Sequence, residues 1–92
     1  MAERAERHVR IDIELAADPK DAYAWQMRGD AYWGGNWSTA SKSYTKAAKL
    51  FGDSGFTDKA IKAILENAQH CRAEAEAEAK AAAEAEAARM AP

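Results

Sequence analysis

The chain has 92 residues and a formal net charge of −2, so it forms at most one domain and its overall charge does not favour nucleic acid or a membrane surface. It contains no run of about 18 apolar residues, which excludes a transmembrane helix. The charged N-terminus lacks the apolar stretch of a signal peptide, so we expect a cytoplasmic protein. The single cysteine, Cys71, excludes an internal disulfide and a thiolate zinc site.

Apolar residues larger than alanine are unevenly distributed. Of 20 such residues, 19 lie between residues 1 and 71. We therefore expect residues 1–71 to form the folded domain, and residues 72–92 to be an alanine- and glutamate-rich extension of its last helix.

Glutamate and arginine residues spaced four apart predict a first helix over residues 2–17. It should end at Asp18, because a residue that precedes proline disfavours the helical conformation. The apolar residues of this helix form two faces, and a helix that is apolar on two sides usually lies between neighbours. One face carries Val9, Ile13 and Ala16, and the other carries Ile11 and Leu15.

A second helix is expected from Pro19 to about Trp33. Asp18 is a suitable N-cap for it, and proline suits the first helical position. Gly34-Gly35 then breaks the helical pattern. Four residues with the spacing i, i+3, i+4, i+7 share one face of this helix; they are Trp25, Arg28, Gly29 and Tyr32.

Two further helices follow. Asn36 can cap the third, which should run over residues 37–51 and end at Gly52. Thr57 can cap the fourth, and residues 58–90 contain no stop signal, because alanine, glutamate, lysine and arginine all favour helix. The fourth helix would be about 50 Å long at 1.5 Å per residue. The predicted fold class is all-α, with about four helices.

The middle of the chain resembles a tetratricopeptide repeat (TPR), in which two antiparallel helices carry W-x2-L-G-x2-Y and then A-x3-F over about 34 residues. The resemblance covers residues 19–52, and Asp18-Pro19 resembles the boundary between two repeats. It implies an antiparallel helical hairpin whose motif residues form the repeat core. These residues are Trp25, Gly29, Tyr32, Trp37, Ala40, Tyr44 and Ala47.

Three features depart from the family pattern. Arg28 stands where the family usually has leucine, the turn is one residue short, and no proline follows Leu50. The resemblance also implies that residues 2–17 are the second helix of a preceding repeat and that the fourth helix is a terminal cap. About three repeats are needed for stability, and this chain offers about two. It is therefore either a piece of a longer array or a subunit that completes its core with another copy.

The resemblance implies a protein-interaction module rather than an enzyme. In TPR proteins, the first helix of each repeat lines a concave surface that binds peptides or helices of partner proteins. This role falls on Tyr23, Gln26, Asp30 and Trp33, although Trp33 has the alternative of packing against the fourth helix. The aromatic members are rigid anchors of the kind that dominate interface energies.

We expect no catalytic, cofactor or metal site. His8 and His70 are the only histidines, and no phosphate-binding loop or metal-ligand spacing is present. His70 and Cys71 cannot form a catalytic pair, because adjacent residues on a helix point in different directions. We expect His70 to be exposed and Cys71 to be a small packing residue.

A basic stripe on the third helix is the remaining charged feature of the domain. It could contact an acidic partner, although three lysines on one helix face are more often a solvated surface. Residues 1–71 balance ten basic against ten acidic residues, which argues against nucleic-acid binding. The stripe consists of Lys42, Lys46 and Lys49.

Residues 72–92 carry three basic and five acidic residues. Three interpretations remain open: a solvated helical spacer, a partly frayed helix, or a helix whose small residues pack against a second helix, such as the same helix of another subunit. We favour self-association, and the alternative function is a purely structural homo-oligomerisation module. The stripe of small residues comprises Ala68, Ala75, Ala79 and Ala82 and ends with Met90.

Overall fold

A computed structural model describes residues 2–91 of the chain, with side chains described from residue 10 onward. Within this range the chain forms four α-helices and no strand, which confirms the all-α class. Each helix packs against the next one along the chain. The predictions for the side chains of His8 and Val9 lie outside the described residues. The helices are α1 (Ala2–Ala17), α2 (Ala22–Tyr32), α3 (Trp37–Asp53) and α4 (Asp58–Met90).

The predicted caps of α3 and α4 are confirmed. The side-chain oxygen of Asn36 accepts a hydrogen bond from the backbone N–H of Thr39 at 3.0 Å. The hydroxyl oxygen of Thr57 accepts one from the backbone N–H of Ala60 at 3.3 Å. Each bond satisfies a backbone donor that has no partner inside its helix.

The start of α2 differs from the prediction of Asp18 as N-cap and Pro19 as first helical residue. The N-cap is Asp21, whose carboxylate accepts a hydrogen bond from Ala24 N–H at 3.2 Å. Asp18 instead closes a turn, since its carboxylate accepts from Lys20 N–H at 3.1 Å and its carbonyl from Asp21 N–H at 3.2 Å. Because the carboxylate and the carbonyl of Asp18 both accept hydrogen bonds within the turn, the helix begins after Asp21.

The end of α3 also lies later than predicted, because the helix continues through Gly52 to Asp53. The residue with the left-handed conformation that commonly ends a helix is Gly55, with φ of 83°. Phe56 N–H donates to Phe51 O, and Gly55 N–H donates to Gly52 O, each at 3.1 Å. This is the Schellman arrangement, and its usual apolar contact is the pair of rings of Phe51 and Phe56, with centroids 4.6 Å apart.

The main core lies on both sides of α3. Gly29 of α2 lies directly against the ring of Tyr44, so that a Cβ at position 29 would be 2.8 Å from ring carbons. Tyr44 is only 1% exposed. Half-buried Trp25, Tyr32 and Trp37 pack against this core. The buried core residues are Ala22, Ala40, Tyr44, Ala47, Ala48, Phe51, Ile64, Ala68 and Cys71.

A smaller core joins α1 to α2. Ile11 and Leu15 of α1 pack there with Ala24 and Ala31 of α2. The second apolar face of α1 has no such neighbour among the described residues, and Ile13 is 64% exposed. The first helix thus buries one of its two predicted apolar faces.

Helix α4 is continuous from the core into the predicted extension. It contributes Ile64, Ala68 and Cys71 to the core, and every side chain from residue 76 to residue 91 is exposed. No helix within residues 2–91 has an apolar stretch long enough to cross a membrane.

We predict that Gly29→Ala destabilises the protein and that Gly52→Ala does not. The first substitution forces a methyl group against the enclosed Tyr44 ring, and such overpacking costs roughly 1–3 kcal/mol. This exceeds the gain in helix propensity, which is at most about 1 kcal/mol. At Gly52 the added Cβ would lie 3.6 Å from Ile61 Cδ1, an ordinary contact, and stability should rise by about 0.5 kcal/mol.

Urea unfolding monitored by far-ultraviolet circular dichroism measures both changes. Equal effects of the two substitutions would contradict the close approach of α2 and α3 at Gly29.

Candidate functional site

One face of α2 is largely exposed. Tyr23 and Met27 are 60% and 44% exposed, and together with exposed Asp30 they have the spacing i, i+4, i+7. Beside this face, a groove of about 340 Å³ separates α1 from α2. We call the face and the groove together the α2 surface. The groove is lined by Arg10, Ile11 and Glu14 of α1 and by Met27 and Asp30 of α2.

An aromatic cluster fixes one end of the α2 surface. The ring of Tyr23 meets the ring of Phe51 edge-on, with centroids 4.9 Å apart, and lies 6.3 Å from that of Phe56. Phe51 is buried, whereas Tyr23 is 60% and Phe56 42% exposed. The cluster therefore anchors an exposed tyrosine ring to the core, which restricts its motion without covering it.

A core residue holds Asp30 in place. The hydroxyl of Tyr44 donates a hydrogen bond to the Asp30 carboxylate. Burial of Tyr44, together with this bond and the neighbouring negative charge, raises the pKa of the tyrosine well above its ordinary value. Tyr44 thus stays a proton donor, and the carboxylate that it fixes lies at the edge of the groove.

The other predicted surface residues are placed differently. Gln26 is half-buried. Trp33 stacks on the imidazole of His70 in α4, with ring centroids 5.0 Å apart, and contacts Trp37 at 5.4 Å. Of the two interpretations of Trp33, packing against the fourth helix is the one that the structure shows. His70 is exposed as predicted, although its ring contacts two tryptophans.

Arg28, the departure from the TPR pattern, links three helices. Its guanidinium donates a hydrogen bond to the Ser43 hydroxyl of α3 at 3.0 Å and lies 3.6 Å from the Asp12 carboxylate of α1. It also lies 5.7 Å from the centre of the Trp25 ring and 5.3 Å from that of Tyr32. The fully buried Ser43 hydroxyl in turn donates to Thr39 O at 2.8 Å. A polar network therefore occupies the place where the family usually has an apolar leucine.

Met27, Arg10 and Glu14 belong to the α2 surface and were absent from the predicted set. The spacing of Met27 from Tyr23 and Asp30 places all three on one face, so helical periodicity could have identified it. Arg10 and Glu14 are visible in the sequence as a helix-stabilising pair, but their position beside α2 depends on the packing of α1.

Cys71 and the lysine stripe of α3 lie outside the α2 surface. Cys71 is fully buried, and burial, with a smaller effect of Glu74, raises the pKa of its thiol. The thiol therefore stays protonated, which makes it a poor nucleophile. No cluster of three metal-binding side chains occurs in the described part of the chain. Lys42, Lys46 and Lys49 are all exposed.

Comparison with known proteins supports the TPR-like character. The chain is 43% identical over 55 residues to "Superkiller complex protein 3" of Mus musculus and of Homo sapiens, and to "Tetratricopeptide repeat protein 37" of Xenopus laevis. The match covers 59% of this chain, and the chain spans about 4% of the length of these curated relatives. No protein-family profile and no solved structure matches the chain.

We predict that Tyr44→Phe lowers stability by about 1 kcal/mol at neutral pH, because it removes the hydrogen bond to Asp30. The substitution should also flatten the loss of stability at alkaline pH. An unfolded tyrosine loses its proton near pH 10, whereas folded Tyr44 retains its proton at that pH. Above pH 10 the unfolded state therefore binds fewer protons than the folded state. The free energy of unfolding then falls as pH rises.

Urea unfolding of the parent and of Tyr44→Phe between neutral pH and about pH 11 measures the difference. Identical alkaline slopes for the two proteins would contradict the raised pKa of Tyr44.

Proposed function

We propose that the chain is a non-enzymatic, TPR-type protein-interaction module that binds a peptide or helix of a partner protein on the α2 surface. The observation that carries the proposal is the exposure of Tyr23 and Met27 on one face, beside a groove of about 340 Å³ between α1 and α2. Exposed apolar side chains that are grouped around a groove are typical of interaction sites.

The chemistry of the α2 surface suits an amphipathic helix. Tyr23 offers a rigid ring with a polar end, and Met27 offers a flexible apolar side chain that adapts to different partners. Arg10, Glu14 and Asp30 supply charges of both signs around them. An apolar centre with a polar rim is the usual organisation of a protein interface, and apolar residues at i, i+3/i+4 and i+7 of a partner helix would fit it.

The relatives give independent support at a coarser level. One is named as a protein of a complex and another as a TPR protein. Both names accord with a role in assembly with other proteins. Because this chain spans about 4% of their length, the proposal concerns one interaction module.

We also propose that the chain self-associates through the extension of α4. The side chains from residue 76 to residue 91 are exposed. We propose that residues 72–92 form a unit distinct from the domain of residues 1–71. The alternative function is a purely structural homo-oligomerisation module that uses the same helix and has no peptide ligand.

We predict that Met27→Glu abolishes most peptide binding by the full chain. Helix-forming peptides are selected on the parent protein by phage display, and their affinities are measured by fluorescence anisotropy. A charge at the apolar centre should weaken binding by about tenfold or more. The matched control is Leu65→Glu on α4, since Leu65 is also apolar and is 39% exposed; it should change affinity by less than about twofold.

Peptides that bind Met27→Glu as tightly as the parent would refute the α2 surface as the binding site. Failure to select any peptide, combined with a stable assembly of the full chain, would favour the structural alternative.

A further inference from the structure

A second groove lies between the beginning of α3 and the part of α4 that leaves the core. Its volume is about 500 Å³, and a hollow of about 470 Å³ adjoins it at Ser38, Ala75 and Ala79. We call the two together the α3–α4 groove. Its walls are Ser38, Ser41 and Lys42 of α3 and Arg72, Ala75, Glu76 and Ala79 of α4, and Glu78 lines the adjoining hollow.

The α4 side of this groove has a regular helical pattern. Ala75, Ala79 and Ala82 have the spacing i, i+4, i+7, and all three line the groove. Glu86 is the next residue on the same face, four positions further on. Small side chains let two helices approach closely, because interaxial distance depends on the side chains at the contact.

We propose that the α3–α4 groove binds α4 of a second copy of this chain, with the two α4 helices antiparallel around a two-fold axis near Ala79. The inference rests on the self-association in the proposed function and names its site. Under two-fold symmetry each copy contributes both a groove and a helix. The contact is therefore satisfied in a closed dimer and leaves no free groove for a third copy.

A lysine and a glutamate that form no ion pair among the described residues favour α4 of a second copy as the occupant. The basic residues Lys42 and Arg72 and the acidic residues Glu76 and Glu78 line the groove, and Arg72 pairs with Glu76 at 3.2 Å. Lys42 and Glu86 form no ion pair among the described residues. In an antiparallel pair centred on position 79, position 72 of one copy lies opposite position 86 of the other. Glu86 of the second copy would then lie beside Arg72 and the neighbouring Lys42.

The net charges of α3 and of the α4 extension also favour a second copy as the occupant. Residues 72–92 carry three basic and five acidic residues, whereas residues 37–51 of α3 carry three lysines and no acid. An acidic helix that lies along the basic flank of α3 gains favourable electrostatic energy and a defined register. Alanines bury little apolar area, so we expect the dimer to dissociate on dilution.

Sedimentation equilibrium of the full chain over about a hundredfold concentration range tests the site. We expect a monomer–dimer equilibrium whose dissociation constant rises by about tenfold or more in Ala79→Glu, because the charge falls in the apolar contact. The matched control is Ala81→Glu, on the opposite face of α4. Both residues are exposed alanines in the same helix, so the cost in helix propensity is equal, and the control should shift the constant by less than about twofold.

A charge exchange tests the register. Lys42→Glu and Glu86→Lys should each weaken the dimer by several fold, whereas the double substitution should return affinity close to that of the parent. Neither misfolding nor net charge explains such a recovery, since the double variant has the net charge of the parent.

Four outcomes would overturn the inference. A monomer at every concentration would refute self-association and leave the α2 surface untouched. A dimer that is insensitive to Ala79→Glu, or a double variant no tighter than the single ones, would exclude this groove as the contact. The chain could also be monomeric and bind a synthetic acidic helix of alanine and glutamate. If Ala79→Glu abolished that binding, the groove would be a site for another protein.

Discussion

The close contact between the α2 backbone at Gly29 and the ring of Tyr44 is the constraint on which the other features depend. With no side chain at position 29, α2 lies flat against α3, and the ring fills the space between them. The hydroxyl of the same tyrosine reaches Asp30 at the edge of the α1–α2 groove. One buried side chain therefore sets both the spacing of the hairpin and the position of a charge on the candidate binding surface.

The fold was largely predictable because local signals agree with tertiary packing. Asn36 and Thr57 are such signals, and each accepts the expected capping hydrogen bond. Where two candidates compete, local signals do not decide. Asp18 and Asp21 are equally good caps, and a turn at Pro19 determines which of them begins the helix. The carbonyl of Pro19 accepts a hydrogen bond from the Trp25 indole at 2.8 Å. This hydrogen bond depends on how the turn packs against α2. Residue spacing along the chain does not reveal that packing.

The candidate site was predictable only where it follows the periodicity of one helix. The exposed face of α2 contains Tyr23 and Asp30 as the sequence indicates, and Met27 satisfies the same periodicity. Trp33 is different, because its stacking partner His70 lies on another helix. Arg28 likewise pairs with Asp12 and donates a hydrogen bond to Ser43, and these two residues lie on the two neighbouring helices. Such pairings arise from packing between helices, and residue spacing within one helix contains no information about them.

The two grooves lie on different pairs of helices and differ in chemistry. This difference affects how partner binding and self-association could occur together. The α2 surface offers large apolar groups, so burial of area would dominate affinity there. The α3–α4 groove offers alanines between charges, so electrostatics would determine register more than strength. No lining residue is shared between them, so we expect occupation of one to leave the other accessible. A dimer formed through α4 would therefore present two α2 surfaces, and a bivalent partner would bind it more tightly than a single module.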